Sequence, residues 1–352
     1  MDAPSPLRLG IPVKLLGRPD LKSNDTRRWQ SEPHLAVSLE YLDAILDHCA
    51  ALGVRMYRMS SDLAPYATHP DMPQFHGMVE DTAEGLAAIG AKARRLDIRL
   101  SFHPSQFVLL NAEDEGIVAK SVADLASQAR MLDLMGLGPE AVLVTHVGGV
   151  YDDKAAARDR WVRQWERLPQ IVRDRLVLEN DDIRFSATDT LWISERTGVR
   201  LIFDHQHFWC LHEPGAELIP TFERCLRTWP EGQRPKMHFS SPRTEMRQMD
   251  QKDRKTGKKK TVLRPPIWTG HADFVQPFEF VRFMRDAAHL EFDVMLEAKT
   301  KDLALLRLRE DLKRYAPDVA ERFGLAAPDA ARTEGDMADG GGTGGPRGAE
   351  AA

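Results

Sequence analysis

The chain has 352 residues, of which 42% are hydrophobic and 29% charged, and its formal net charge is -5. This balance is typical of a globular protein with a large core, and any site for a polyanion must be a local patch. Three cysteines without CxxC spacing argue against a disulfide framework and a thiolate zinc site. The N-terminus MDAPSPLRLG has no signal-peptide pattern, and no run of about 18 apolar residues could span a bilayer. We therefore expect a cytoplasmic protein.

Short apolar runs alternate with amphipathic stretches along the chain, which predicts strands and helices in turn. RLGIPVK, residues 8–14, predicts the first strand. The first helix is predicted from Ser31 to Gly53, because Leu35, Leu39 and Leu42 share one helical face. The remaining strands are predicted at 54–61, 98–107 together with its exit loop, 141–149, 175–181, 199–207, 235–241 and 292–299. The remaining helices are predicted at 75–96, 114–135, 153–172, 188–196, 217–228, 276–289 and 301–314.

Eight strand–helix pairs with apolar strands predict an α/β protein whose parallel strands are buried on both faces. The pattern fits one (β/α)8 TIM barrel over residues 1–324, with its functional residues at the C-terminal rim. An open doubly wound sheet is the alternative, but the chain has no GxGxxG after the first strand and no GxxxxGK[ST]. Residues 325–352 are rich in Gly, Ala and Asp and predict a disordered tail.

Residues of metal-binding types stand at the ends of the predicted strands. RLVLE ends in Glu179, and a carboxylate at the end of a buried strand is costly unless positive charge meets it. Taken singly, each residue is more often a hydrogen-bonded core or surface group, but independent roles would scatter over both strand ends. The set at one rim predicts a cluster of divalent metals such as Mn²⁺ or Zn²⁺, with Glu179 near its centre. The strand ends supply His103, His146, Glu179, Asp204, His238 and Glu297, and the loops add His69, His207 and His271.

A carboxylate that bridges metals among several histidines suits phosphodiester chemistry. The metals of such a site neutralise the phosphate, lower the pKa of a bound water and stabilise the leaving oxygen. In the rim loop HPSQF, Gln106 and Phe107 are an amide and an aromatic that could enter a base stack. The alternative, that Phe107 packs back on the barrel, is equally compatible with the sequence.

The loop predicted after the seventh strand, 247–264, is long and basic. Charge runs are commonly no more than solvated surface. This loop leaves from the rim that carries the metal-type residues, however, and phosphates would dock there on an otherwise acidic protein. The residues predicted to contact the DNA backbone are Lys255, Lys258, Lys259 and Lys260.

Eight motifs occur along the chain in the order RMSSDLAPYATHP, FHPSQF, VTHVGG, LENDD, FDHQH, MHFSSPRTE, HADF and LEAKTKDLALLRL. Together they resemble the motifs of the UV damage endonuclease family, from about residue 9 to residue 310. The resemblance implies a TIM-type barrel related in architecture to endonuclease IV, and a DNA repair enzyme that acts on damaged double-stranded DNA. It implies a metal-dependent nick immediately 5′ to a UV photoproduct, which leaves a 3′-hydroxyl and a 5′-phosphate. The implied cofactors are divalent metal ions, two or three per site, and the family suggests manganese.

The resemblance also implies roles for single residues. Glu179 and Lys236 would be catalytic, and Lys236 would be a modified or site-facing lysine rather than a surface one. The implied metal ligands are His69, His103, His146, Glu179, Asp204, His207, His238, His271 and Glu297.

Lesion probing is implied for Gln106 and Phe107, and here the chain departs from the family's pattern. Phe107 stands where the family leads us to expect tyrosine. The aromatic residue expected after the first strand's leucine is also absent, since the chain reads Ile11 and Pro12 there. The second departure bears on lesion recognition more than on hydrolysis.

Three alternative functions stay open at this point. An abasic-site endonuclease of the endonuclease IV type would share the metals. A sugar isomerase of the same barrel class would also hold divalent metals with Glu, Asp and His, but it would not need a basic rim loop. The third is a lesion-binding protein that no longer cleaves, although every expected metal ligand is present. Action as a monomer on duplex DNA is the simplest assumption.

Overall fold

An eight-stranded parallel barrel dominates the computed structural model of this chain, which describes residues 5–253 and 256–325. Its strands are joined in the order β6-β5-β4-β3-β2-β1-β12-β7, so the predicted TIM barrel is confirmed. The barrel strands are β1 (Leu9–Pro12), β2 (Met56–Met59), β3 (Arg99–Phe102), β4 (Leu143–His146), β5 (Leu176–Glu179), β6 (Arg200–Ile202), β7 (Lys236–Phe239) and β12 (Asp293–Leu296).

Strands β6 and β7 close the barrel through residues at its C-terminal mouth. The two strands are joined by a parallel bridge between Asp204 and His238, and the His238 N–H donates to the Phe203 carbonyl at 3.0 Å. Asp204 and His238 are both fully buried, and both are predicted metal ligands. This junction of the barrel therefore lies within the candidate site.

Helices cover the outside of the barrel and return the chain from one strand to the next. They are α1 (Leu35–Ala51), α2 (Met78–Asp81), α3 (Ala83–Arg95), α4 (Glu115–Leu134), α5 (Lys154–Arg167), α6 (Gln170–Arg173), α7 (Ala187–Thr197), α8 (His205–Cys210), α9 (Leu218–Leu226), α10 (Pro277–Asp286), α11 (Lys301–Tyr315) and α12 (Pro317–Arg322).

Several helix boundaries differ from the prediction, mostly for local reasons. Helix α1 begins later than predicted, because the His34 imidazole accepts a hydrogen bond from the Ala36 N–H and caps the helix there. The predicted helix 153–172 is divided, because Pro169 lacks an N–H and begins α6 as its N-cap. The predicted helix 75–96 is also divided, with Thr82 between α2 and α3. Helix α8 was not predicted, since it follows a strand end directly with Asp204 as its cap.

Alternation along the strands explains why the metal-type residues face the mouth of the barrel. Val144, Val177 and Ile202 pack with Trp229 in a small core that is separate from the main core. Side chains two residues apart on a strand lie on the same face. Two residues beyond these three on the chain come His146, Glu179 and Asp204.

The basic segment 247–264 was predicted as a loop, and that prediction was wrong. It forms an antiparallel hairpin of β9 (Arg247–Lys252) and β10 (Lys259–Arg264). The alternation of apolar and polar residues that reveals a strand is weak here, because both faces are largely exposed to water. A second, shorter pair joins β8 (Pro242–Arg243) to β11 (Ile267–His271).

The predicted tail begins where the description of the chain ends. Leu325 packs on the main core, and residues 326–352 lie outside the described residues. Lys255 is likewise outside them. Within the described part of the chain, no helix combines the length and the apolar character that a membrane span requires.

Candidate metal centre

Glu179, the last residue of β5, lies at the centre of a group of histidines. Its side chain is fully buried. One carboxylate oxygen lies 2.8 Å from His238 Nδ1 and 3.7 Å from His207 Nδ1, and the other lies 3.2 Å from His103 Nε2 and 3.8 Å from His146 Nε2. Four different barrel elements therefore deliver imidazoles to one carboxylate, as the strand ends predicted.

Two further carboxylates extend this group. Asp204 Oδ1 lies 3.8 Å from His207 Nδ1. Glu297, directly after β12, lies 3.3 Å from His238 Nδ1 and 3.6 Å from His271 Nε2. Arg58 of β2 also donates a hydrogen bond to Glu297 and fixes its position. Eight of the nine predicted metal ligands are thus neighbours.

The donor atoms of this cluster fit divalent metal ions. They form three overlapping groups, each with its donor atoms within 4.8 Å of one another, and Glu179 and Asp204 each belong to two of them. Asp204 Oδ2 and His238 Nε2 are buried and have no hydrogen-bond partner among the described residues. A buried carboxylate oxygen without a partner is costly unless a cation meets it. Oxygen and imidazole nitrogen without thiolate suit Mn²⁺ and Zn²⁺.

Hydrogen bonds at Nδ1 orient several of the imidazoles. His207 Nδ1 lies 2.9 Å from the Asn180 carbonyl, which therefore accepts its proton. His271 Nδ1 lies 2.6 Å from Ser240 Oγ, and His103 Nδ1 lies 3.1 Å from the carbonyl of the next residue. Such contacts settle the ring orientation and leave Nε2 as the metal-binding nitrogen.

The electrostatics of the cluster favour added positive charge. Burial raises the pKa of Asp204 to about 6, and Glu179 and Glu297 add to the shift. Burial would lower the pKa of His207, but Asp204 and Glu179 raise it to about 9. Burial would raise the pKa of Glu179, yet the histidines around it, His238 first, hold it well below its ordinary value. Asp204 thus keeps a raised pKa although imidazoles lie beside it, and divalent cations would stabilise its charged form.

No hydrogen bond, ion pair or ring contact joins His69, the ninth predicted ligand, to the other eight within the described residues. Its Nδ1 accepts a hydrogen bond from the Asp71 N–H at 3.2 Å, and its ring centre lies 6.4 Å from that of Tyr66. These residues belong to a separate cleft, which adjoins the loop that carries Gln106. The contacts of His69 are therefore with its own loop.

Lys236, predicted to be catalytic, is fully buried at the start of β7. It precedes His238 by two residues on the same face of the strand. Its Nζ donates to Ser101 Oγ of β3 at 2.9 Å. Burial, with Arg99 and Arg58 nearby, lowers its pKa well below the ordinary value. Lys236 therefore lies inside the barrel beneath the cluster and not on the surface.

The predicted DNA-contacting residues that the structure describes are all exposed. Phe107 is 77% exposed, so it does not pack back on the barrel. Gln106 is also exposed and lines a cleft of about 420 Å³ that reaches His146 and Glu297. In the hairpin, Lys258, Lys259 and Lys260 are all exposed.

Ile11 occupies the place where the family pattern led us to expect an aromatic residue. It lies in β1, is fully buried and belongs to the main hydrophobic core. Pro12, the last residue of the strand, is buried as well. Neither side chain is therefore offered to a ligand at the rim.

Sequence reasoning missed the residues that position the cluster. Arg58, Asn180, Gln206 and Ser240 all lie inside the quoted motifs, yet none was assigned a role. Arg58 and Glu297 are 239 residues apart, so no local pattern could have paired them. Asn180 was the best placed to be found, since it follows Glu179 directly and its amide exchanges two hydrogen bonds with the Asp204 backbone, at 2.9 and 3.1 Å.

Comparisons with known proteins agree on one family. The family model described as UV-endonuclease UvdE matches residues 34–324. A protein of Bacillus velezensis named UV DNA damage endonuclease is 34% identical over 283 residues, which are 80% of this chain and 81% of that protein. The crystal structure of SacUVDE gives a TM-score of 0.72 at 30% identity and covers 88% of this chain and 98% of that one. Endonuclease IV from Thermus thermophilus, at 16% identity and a TM-score of 0.54 over 87% of this chain and 99% of that one, shares the fold alone.

A metal-binding cluster predicts that Mn²⁺ stabilises the folded protein and that Asp204→Asn removes the effect. A ligand that binds only the folded state adds about 2.7 kcal/mol at about one hundred times its Kd. Without metal, Asp204→Asn should not lower the melting temperature, because it removes a costly buried charge and Asn can still cap α8. Thermal melts in EDTA and in Mn²⁺ measure both effects.

The matched control for this melt is His289→Gln. His289 is an exposed imidazole that pairs with Glu223 at 2.8 Å, away from the mouth of the barrel. This variant should respond to Mn²⁺ as the parent protein does. If Asp204→Asn gained as much stability from Mn²⁺ as the parent, Asp204 would not be a metal ligand.

Proposed function

The chain belongs to the UV-endonuclease UvdE family of DNA repair endonucleases, and on this premise we propose its reaction. It hydrolyses the phosphodiester bond immediately 5′ to a UV photoproduct in duplex DNA and leaves a 3′-hydroxyl and a 5′-phosphate. The observation that carries this proposal is the cluster of three carboxylates among histidines at the mouth of the barrel. It acts as a monomer in the cytoplasm, where its three free thiols stay reduced.

We assign the cluster to two or three divalent ions, with Mn²⁺ as the family's metal. Bound ions supply neutralisation of the phosphate and a lower pKa for the attacking water. Glu179 and Asp204, which each belong to two of the donor groups, would hold the ions together with the histidines and Glu297. Arg58 keeps Glu297 in place, and the Asn180 carbonyl keeps the His207 ring turned toward the site. Lys236 supports the centre from within the barrel.

The exposed groups around the mouth bring the damaged strand to this centre. Phe107 and Gln106 enter the duplex and stabilise the gap left when the damaged dinucleotide leaves the stack. The turn that presents them is held by the Ser105 carbonyl, which accepts from the Val108 N–H at 2.9 Å. The hairpin lysines, Lys258 to Lys260, contact phosphates without reading sequence.

An abasic-site endonuclease is the alternative that shares most of this machinery. The likeness to endonuclease IV is one of fold and therefore does not favour it. The sequence similarity lies with the UV damage endonucleases over about four fifths of the chain. Comparison of abasic and photoproduct duplexes separates the two activities.

Glu179→Ala should abolish nicking of UV-irradiated plasmid. Loss of the shared carboxylate removes a ligand from two donor groups, and loss of one electrostatic stabiliser commonly costs about a hundredfold or more in rate. The assay follows conversion of supercoiled to open-circular plasmid in Mn²⁺, with EDTA and unirradiated plasmid as controls. If the Glu179→Ala protein stayed active, Glu179 would not be a shared metal ligand. If the parent protein shifted the plasmid on a gel without nicking it, the protein would be a binding protein and not an enzyme.

Replacement of Gln106 and Phe107 by alanine should lower the preference for damaged over intact duplex and leave metal stabilisation unchanged. Base–aromatic stacking contributes about 1–3 kcal/mol, so discrimination should fall roughly five- to a hundredfold. Competition between irradiated and intact duplex measures it. Tyr315→Ala is the control, since this aromatic is also exposed, at 48%, but lies at the end of α11. Unchanged preference in the double variant would exclude the pair from lesion probing.

A further inference from the structure

A second cleft opens at the mouth of the barrel, on the side of β1 and β2. It has a volume of about 400 Å³ and contains Lys14, Asn24 and Arg58. It shares His103 and Glu297 with the cleft that contains Gln106, which lies over the ends of β3 to β6. The two clefts therefore meet beside the metal-type residues, one on the side of β1 and β2 and the other along the rest of the rim.

Four cations gather around the second cleft. Lys14 and Arg58 line it, and Lys299 and Lys301 follow Glu297 on the chain. Arg58 is paired with Glu297, whereas none of the three lysines forms an ion pair within the described part of the chain. The pKa of Lys301 is lowered to about 8, chiefly by burial and then by Arg58, with smaller contributions from Lys299 and Lys14, while Glu297 opposes the shift.

The nearby carboxylates do not balance these lysines. Asp302 is buried, and its two oxygens accept hydrogen bonds from the backbone N–H groups of Leu16 and Gly17 at 2.6 and 2.9 Å. Asp62 and Glu297 line the cleft, and Glu297 is paired with Arg58. Asp62 is then the one remaining carboxylate in the lining, against Lys14 and the two lysines that follow Glu297. The cleft is therefore a positive patch on a chain whose net charge is -5.

The backbone around the cleft holds its lysines in costly conformations. Val13 has a φ of 60°, and the Lys14 N–H donates to the Pro12 carbonyl at 2.8 Å, which makes a γ-turn of the rarer, strained form. Lys301 has a φ of 53°. Asp302, next to Lys301, ties the loop that follows Lys14 to this segment. Backbone strain of this kind clusters at ligand-binding positions, where the surrounding structure maintains it.

The second cleft also contains a neutral hydrogen-bond donor, the side-chain amide of Asn24. The Asn24 Oδ1 accepts hydrogen bonds from the Ser23 and Ser60 hydroxyls at 3.1 and 3.2 Å. The amide oxygen is therefore used, and the Asn24 NH₂ group remains to donate within the cleft. Cations with N–H donors are the groups that bind phosphate oxygens.

We propose that the second cleft binds a backbone phosphate of the damaged strand on the 5′ side of the cut. The inference rests on the proposed function, which sets the direction of the strand. With the photoproduct beside Gln106, the nucleotides 3′ to the cut occupy the first cleft. The strand then crosses His103 and Glu297 and enters the second cleft, where Lys14 and Lys301 contact the phosphate. This contact positions the strand without reading its sequence.

The test measures affinity for a fluorescent duplex with one cyclobutane dimer, in Ca²⁺ in place of Mn²⁺, across a range of salt concentrations. The variants are Lys14→Gln and Lys14→Gln/Lys301→Gln. The control is Lys313→Gln, a lysine near the opposite end of α11 that pairs with Glu310. Each cleft lysine removed should weaken binding several-fold and reduce the slope of log affinity against log salt by about 1. Lys14 is exposed, so its replacement leaves the core intact.

A neutral methylphosphonate in the substrate shows which phosphate is bound. A methylphosphonate one or two phosphates 5′ to the scissile position should weaken DNA binding by the parent protein as much as the lysine replacements do. The same methylphosphonate should not weaken DNA binding by the double variant any further. A methylphosphonate 3′ to the dimer should weaken DNA binding by the parent protein and by the double variant equally.

The proposal is overturned if the cleft variants bind the duplex as tightly as Lys313→Gln does. It is also overturned if the 5′ methylphosphonate weakens binding by the double variant as much as it weakens binding by the parent protein. If the parent protein showed this dependence on the 5′ phosphate and the lysines and yet failed to nick DNA in Mn²⁺, that result would refute the proposed reaction but would still support the phosphate site.

Discussion

The need to neutralise buried carboxylates at the barrel mouth governs this structure. Glu179 and Asp204 are fully buried, and burial alone would drive protons onto both. Imidazoles meet them from several strand ends, and Arg58 meets Glu297. Even so, Asp204 Oδ2 has no partner within the described residues, and burial leaves the pKa of Asp204 at about 6. Divalent metal ions would supply the missing charge, and the same ions are what phosphodiester hydrolysis requires.

The cluster and the barrel depend on each other. Asp204 and His238 form the bridge that joins β6 to β7, so two of the metal-type residues also help to close the fold. A rigid barrel places donors from distant parts of the chain within hydrogen-bond distance, as in the pair of Arg58 and Glu297. Two clefts meet at His103 and Glu297, beside this cluster.

The sequence predicted the barrel and the gathering of metal-type residues because both follow from short-range patterns. Six of the nine metal-type residues were predicted at the ends of apolar strands, and parallel strands bring their ends to one rim. Long-range pairings, such as the contact of Arg58 with Glu297, could not be predicted because no local sequence pattern links the two residues. The hairpin was not predicted because both of its faces are largely exposed, and its strands therefore lack the alternation of apolar and polar residues. The contacts of His69 within its own loop could not be predicted either, since a motif gives a residue's place in the chain and not the conformation of its loop.

The most direct measurement is cleavage of an end-labelled duplex with one defined cyclobutane dimer, beside undamaged and abasic duplexes, in Mn²⁺ and in EDTA. The account predicts one metal-dependent cut directly 5′ to the dimer, with a 3′-hydroxyl that a polymerase can extend. Cleavage confined to the abasic duplex would keep the metal centre but contradict the assignment to photoproducts. A protein that binds the dimer duplex and leaves every duplex intact would contradict the catalytic account altogether.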